Sequence, residues 1–490
     1  MHEVETIVCE IAISSIHLRE VDTYFLTCLS FFHFVEPALL LEYHSPDGPV
    51  HGKLAGFHAK GKLNMNIFYS IRRFSRFALL AFVLMMLVPP SGLRAGDWPQ
   101  ILGPTRNGVA DGERLAQKWP ASGPQQLWEE PVGSGYAGPA VSGQSVILFH
   151  RFANANLERL EARHVDDGRR LWHVEFDINY RCRMNEDSGP RCVPIIDGER
   201  VFAFGAAGSL VCVDLASGEH QWTRDLYDDY RGDEGYFGAG STPIVVGDKI
   251  LVNVGGHKDA GLVAVDKRTG ETVWTAATNQ KASYSSPVLI PLNGQPYVLF
   301  LTKRELWLVD PKNGSVNARV PFGKSGATVN AALPLVFGDH VFLTASYGIG
   351  AVVAQCKQDD VQVVWRAADV ISSQYNSCVF RDGHVFGIHG REDVGTAHLR
   401  CVRTDQGTVS WTQSGFGVAH LILADNGILA LTSGGELVLF EANSQSYREL
   451  QRSRIIQATT RALPALANGR LYVRSNGSDR NTLRVFQVGA

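Results

Sequence analysis

The side chains best suited to hold a ligand recur at one offset in this sequence. Take as reference the proline, or its equivalent, that opens each of a series of apolar runs. The residues three positions before it are Tyr136, Arg191, Gly240, Tyr284, Ala331, Tyr375, Ala419 and Arg461. Those two positions before it include Ser241, Ser285, Asn376 and His420. Phenols, guanidiniums, an amide and an imidazole around one opening would make a polar funnel for a small ligand or a peptide. The same residue types also satisfy backbone groups at strand ends and line water-filled channels, so a structural reading stands beside the functional one.

Three further clusters carry chemistry. The segment Asp225 to Phe237 alternates acidic and aromatic residues in a long loop. Its carboxylates are oxygen ligands of the kind Ca²⁺ takes, but their spacing is that of no calcium loop, so a solvated or protein-contacting loop is expected. Glu186 and Asp187 lie beside Arg183 and Arg191 and read as a local salt-bridge network. Cys182 and Cys192, ten apart in a loop-like stretch, could form a disulfide in an exported protein. Cys212 and Cys401 fall on predicted strands and read as small buried hydrophobes. No catalytic residue and no metal ligand is assigned. There is no CxxC or spaced-histidine pattern, and Gly205 to Gly208 opens no helix of the kind a phosphate loop requires.

The elements that must position these residues come from a repeat of roughly 45 residues. Its clearest copy runs from Pro243 through Ile250-Leu251-Val252, Leu262-Val263-Ala264-Val265-Asp266 and Thr269-Gly270 to Trp274. A second runs from Pro194 through Val201-Phe202-Ala203-Phe204, Leu210 to Asp214 and Ser217-Gly218 to Trp222. Short strands, a hairpin turn closed by Asp and Gly, and a flat apolar Trp describe one blade of a β-propeller. Further copies start near Pro139, Pro287, Pro334, Val385, Ile428 and Pro464. The copy after Pro287 lacks the Trp, and in the copy after Ile428 Tyr447 stands near the expected Trp position. The last copy stops one strand short, and Gln126-Leu127-Trp128-Glu129 resembles the missing outer strand. The expectation is an all-β, eight-bladed propeller of four-stranded antiparallel blades over residues 126–490. Its ring is closed by the N-terminal strand, with seven blades as the competing count.

The chain has 490 residues, a formal net charge of −3 and 49 glycines. Neither the charge nor any basic run in the repeat region suggests a nucleic-acid partner. Residues 1–64 show no repeat and read as an over-extended start or a disordered extension. Residues 65–95 carry a basic segment through Arg76, an apolar run from Phe77 to Val88 and a small-residue end at Ala95. That is the pattern of a signal peptide; the alternative is an uncleaved N-terminal anchor, the only membrane attachment the sequence offers. Residues 96–125 form a lead-in segment. Export to the periplasm or another extracytoplasmic space, as a monomeric propeller, is the resulting expectation.

The run Leu262 to Trp274, and the matching Leu210 to Trp222, resemble the repeat of the pyrroloquinoline quinone (PQQ)-like propeller family. The opening Asp97 to Gly108 is similar to the lead-in of exported bacterial members. The resemblance covers most of Trp98 to Val488. One branch of the family holds quinoprotein dehydrogenases, which bind PQQ and Ca²⁺ on the ring axis and oxidise alcohols or sugars. The other holds non-enzymatic, BamB-like members. About 395 residues follow Ala95, little more than a propeller, and the chain has neither adjacent cysteines nor a Cys-x-x-Cys-His haem site. The resemblance therefore implies a protein- or peptide-binding scaffold without a cofactor. PQQ and Ca²⁺ are expected only if the chain is instead an oxidoreductase. An axial set of Asp, Glu and Asn would favour the enzyme, and a blocked channel the scaffold.

Overall fold

Each copy of the repeat folds into one antiparallel sheet in the computed structural model. It describes residues 96–490 apart from 153–155, 185–186, 233, 258–259, 277–280, 426, 477–480 and 490; the expected extension and signal segment (1–95) lie outside the described residues. There are eight blades. The third, for example, consists of Ile244–Val246, Lys249–Asn253, Leu262–Asp266 and Thr272–Ala276, paired in chain order. First strands of neighbouring blades lie against one another, as between the first and second blades, the fourth through seventh, and the eighth and first, and form the inner wall of the ring. The middle strands are buried on both faces, so they read as continuous apolar runs (Ile250, Leu251 and Val252 are fully buried) rather than alternating ones.

The eighth blade takes strands from both ends of the described chain. Gln125–Pro131 pairs antiparallel with Thr482–Gln487, from Gln125 opposite Gln487 to Pro131 opposite Thr482. The remaining strands are Arg470–Arg474 and Ala465–Ala467.

Blades are joined by one recurring contact. In the turn before the fourth strand, Asp214 accepts from the amides of Ala216 and Ser217, and Asp266 from those of Arg268 and Thr269. The glycines that end these turns, Gly168, Gly218, Gly270, Gly314 and Gly407, have φ of +63° to +76°. Each lies under the Trp of the preceding blade: a Cβ on Gly218 would sit 2.6 Å from the Trp172 ring, and one on Gly314 2.5 Å from Trp274. Glycine is thus required twice, by the left-handed backbone and by the indole. The indole N–H donates into the same turn, Trp172 to the Leu215 carbonyl at 2.8 Å and Trp128 to Val165 at 2.9 Å.

Two joints lack the indole. In the fourth blade Ala318 occupies the Trp register, and neighbouring Asn317 donates to the Gln358 carbonyl instead. In the seventh blade the register position is Gln451, opposite Leu439, and not Tyr447 as the sequence suggested. Tyr447 packs against Trp411, Phe416 and Phe440. Gln451 binds the lead-in, accepting from the Trp119 amide and donating to the Gln117 carbonyl.

Candidate functional site

The lead-in segment runs along the inner wall of the ring. Trp98, almost fully buried, exchanges two backbone hydrogen bonds with Val141 of the first blade. Pro99 accepts from Ile196 of the second. The Arg106 guanidinium reaches the first-strand starts of the third and fourth blades, donating to the carbonyls of Thr242, Pro243 and Pro287, while its Nε donates to Gln100. A Cβ on Gly108 would touch Val379 of the sixth blade. Val109–Ala110 pairs parallel with Ala419–Ala424 of the seventh. Residues 98–110 therefore contact six of the eight inner walls and fill the axis. Burial draws the Arg106 pKa down to about 9, and the carbonyls around it supply the acceptors that the charged form needs.

Above this plug lies a funnel of about 710 Å³ with Ile101 at its floor. The crossover loops that enter each blade, and the hairpins between second and third strands, form its mouth. Of the eight positions aligned from the sequence, Tyr136, Arg191, Gly240, Tyr284, Ala331, Tyr375 and Arg461 line it; Ala419 lies within its strand. Tyr347, Phe237, Glu392 and Asp393 join them. These four lie in hairpins or in the Asp225–Phe237 insertion, off the aligned offset, which is why the alignment passed over them.

Ser285 and Asn376 are buried and do not line the funnel. They belong to a ladder of side chains that ties each crossover loop to the next. Ser241 donates to the Ser285 carbonyl and Ser285 to the Ala332 carbonyl, both within 2.9 Å. His420 continues the ladder and also borders the funnel. Its Nε2 donates to the Arg461 carbonyl at 2.9 Å, leaving Nδ1 to accept from Asn376. Burial draws its pKa down to about 4, so the ring is neutral near pH 7. For these three, the strand-end reading is what the geometry displays.

At the mouth the charged groups are engaged with one another. Glu392 accepts from the Tyr375 hydroxyl at 3.1 Å and from Arg461 at 3.0 Å. Asp393 pairs with Arg391 and accepts from Gln374. Asp187 accepts from the amides of Gly135 and Gly189. Arg191 donates to the carbonyls of Gly189 and Asp187, and its guanidinium lies 5.4 Å over Tyr136 and 5.7 Å over Phe237. Asp187, one acid of the expected salt-bridge cluster, is thus held by backbone amides; the other, Glu186, lies outside the described residues. Beside this wall, Glu158 is 3% exposed and accepts from the Ala206 amide. Burial pushes its carboxyl up to about 7, against the opposing pull of that amide, Arg151 and Arg191.

Cys182 and Cys192 are separate buried thiols, not the disulfide considered from sequence. Their sulfurs face different acceptors, the Tyr236 carbonyl for Cys182 and the Ala239 carbonyl for Cys192. The insertion after Trp222 is partly helical (Leu226–Tyr230) rather than a loop throughout. Ser209 takes Asp225, and Arg224 takes Asp229 at 2.6 Å. Among the described residues no cluster of three or more His, Cys, Asp or Glu is arranged to hold a metal ion. Calcium asks for six to eight oxygens. At the funnel the carboxylates already hold cations or amides, and the axis carries the Arg106 guanidinium. These residues do not fit a Ca²⁺–quinone pair.

A family model described as outer membrane protein assembly factor BamB matches residues 153–413. The outer membrane protein assembly factor BamB of Xanthomonas campestris pv. campestris is 26% identical over 200 residues, 40% of this chain and 43% of that relative. The match thus spans less than half the length of that relative. Among solved structures, BamB from Moraxella catarrhalis aligns at 15% identity with a TM-score of 0.54, covering 74% of this chain and 97% of its own. A europium-containing methanol dehydrogenase aligns at 10% identity with a TM-score of 0.63, covering 81% and 98%. At these identities the structural likeness speaks for the propeller fold alone.

Proposed function

This chain belongs to the family described as outer membrane protein assembly factor BamB, and from that premise we propose that it is an exported propeller acting as a protein- or peptide-binding scaffold. The mouth of the axial funnel is the contact surface, with Tyr136, Tyr284, Tyr375, Arg191 and Arg461 as its anchors. One observation carries the reading: residues 98–110 fill the ring axis, so the funnel has a closed floor and a rigid aromatic and arginine rim. Aromatic and Arg side chains on a pre-organised rim are the residue types that dominate binding energy at protein interfaces. The quinoprotein alternative draws support from the fold only, and the carboxylates at the funnel argue against it.

Two experiments on the full chain test the proposal. A photo-crosslinking residue at Tyr375, at the mouth, should capture a defined protein in exporting cells, while one at Arg403, the last residue of its strand at the opposite end, should not. Titration with PQQ and Ca²⁺, followed by quinone absorbance and by dye reduction with alcohols and sugars, should give neither tight binding nor turnover. Calcium-dependent loading with turnover would overturn the scaffold reading.

A further inference from the structure

The funnel continues sideways over the same end of the propeller. A hollow of about 150 Å³ shares Tyr284 and Val329 with it and adds Lys281 and Lys303. A basin of about 620 Å³ shares Gly235, Tyr236 and Lys281 with that hollow and is walled by Arg181, Arg183 and His257. One groove therefore leads from the axis, across the crossover between the third and fourth blades, to the outer loops of the second and third.

Its floor is aromatic and fixed. The Tyr284 hydroxyl accepts from the amides of Tyr236 and Phe237 at 2.7 and 3.0 Å, and Phe237 meets Tyr284 edge-on at 5.6 Å. A Cβ on Gly240 would lie 2.6 Å from the Tyr284 ring, so glycine there is what lets the phenol lie down. Cations flank this spine. Lys303 sits 5.7 Å over the Tyr236 ring and Arg191 5.7 Å over Phe237. Arg181 and Arg183 are exposed and have no ion-pair partner among the described residues. Glu234 is the one described acid on the basin wall. A chain of net charge −3 thus gathers cations along one aromatic-floored groove.

The geometry points to an extended acidic peptide segment of a partner protein as the occupant of this groove, its carboxylates on Arg181, Arg183 and Lys303 and its apolar side chains on Tyr236 and Tyr284. Carboxylates complement guanidinium forks, and an extended chain that alternates acidic and apolar residues presents the two kinds to opposite walls. The inference rests on the scaffold reading above and specifies the partner's chemistry.

The test uses the full chain and a fluorescein-labelled twelve-residue peptide alternating Glu or Asp with Phe or Leu, followed by anisotropy at low and high salt. A peptide with Lys and Arg in place of the acids, and an oligogalacturonate, serve as competitors. The acidic peptide should bind at least tenfold tighter than the basic one and weaken with salt. R181E/R183E should weaken it at least tenfold without changing the melting temperature, and R403E should leave it unchanged. Equal binding of both peptides, no effect of R181E/R183E, or binding of the oligogalacturonate alone would overturn the inference. If the acidic peptide fails while the Tyr375 crosslinker still captures a protein, the groove assignment falls and the scaffold stands. If neither captures anything, both fall.

Discussion

Replacing Trp128 by Ala tests ring closure and the indole joint together. Trp128 lies on the N-terminal strand, 8% exposed, over Gly168 of the first blade and edge-on to Tyr472 at 6.3 Å. A buried indole removes roughly 200 Å² from water, worth up to about 5 kcal/mol. Truncation keeps only the Cβ and leaves a cavity, so the expected loss is about 3–5 kcal/mol. The Val165 carbonyl also loses the indole N–H, though Arg470 still donates to it, a part of that loss amounting to at most about 1 kcal/mol. Trp128→Phe keeps most of the ring and loses the N–H, and should cost about 1–2 kcal/mol. Equilibrium urea unfolding followed by circular dichroism measures both, and hydrogen exchange at Gln125–Pro131 reports the strand directly. A loss under about 1 kcal/mol for Trp128→Ala, or equal losses for both variants, would mean that the strand does not close the ring.

Three further outcomes are expected. The fold raises the Glu158 pKa from 4.5 to about 7, so it favours the protonated acid; that stability is fully present below about pH 4.5 and is lost as pH rises through 7. Glu158→Gln should flatten this dependence and stabilise the protein at pH 8 by up to about 3 kcal/mol, seen as a higher melting temperature; a lower one at pH 8 would count against the assignment. Arg106→Met should orphan the Pro243 and Pro287 carbonyls at the axis, costing about 2–3 kcal/mol and exposing residues 98–110 to limited proteolysis, whereas equal protease resistance would place the plug's hold elsewhere. Gly218→Val meets both a φ of +74° and the Trp172 ring, and should cost more than 2 kcal/mol by urea unfolding, while Gly247→Val, whose Cβ meets nothing, should cost about 1 kcal/mol of backbone strain.

Blades were legible in the sequence because each is a local unit: strand, turn glycine and Trp fall within about 45 residues, and their offsets survive in most copies. The funnel rim was legible for the same reason, since Tyr136, Arg191, Tyr284, Tyr375 and Arg461 share one offset from the inner strand. What the offset could not tell was depth. Ser285 and Asn376 sit one residue further along, and a single step turns a side chain from the mouth into the ladder beneath it. The plug was illegible because it repeats nothing. Arg106 meets Thr242 and Pro287, 136 and 181 residues away, and no local pattern announces such a contact. Tyr447 misled because an aromatic near the right spacing resembles a joint, while the bulge that sets the register placed Gln451 there.

The indole joints all run in one rotational sense, each blade gripping the turn of the next, and they are missing at two places. From the eighth blade to the fourth, Trp128, Trp172, Trp222 and Trp274 bind five blades in succession. From the fifth to the seventh, Trp365 and Trp411 bind three. Between these two arcs the stitches are amides: Asn317 on Gln358 at one seam, and Gln451 on the lead-in at the other. The circle is therefore a clasp with two arcs of unequal length, five blades and three, and under stress it is expected to part along the two seams before either arc unravels.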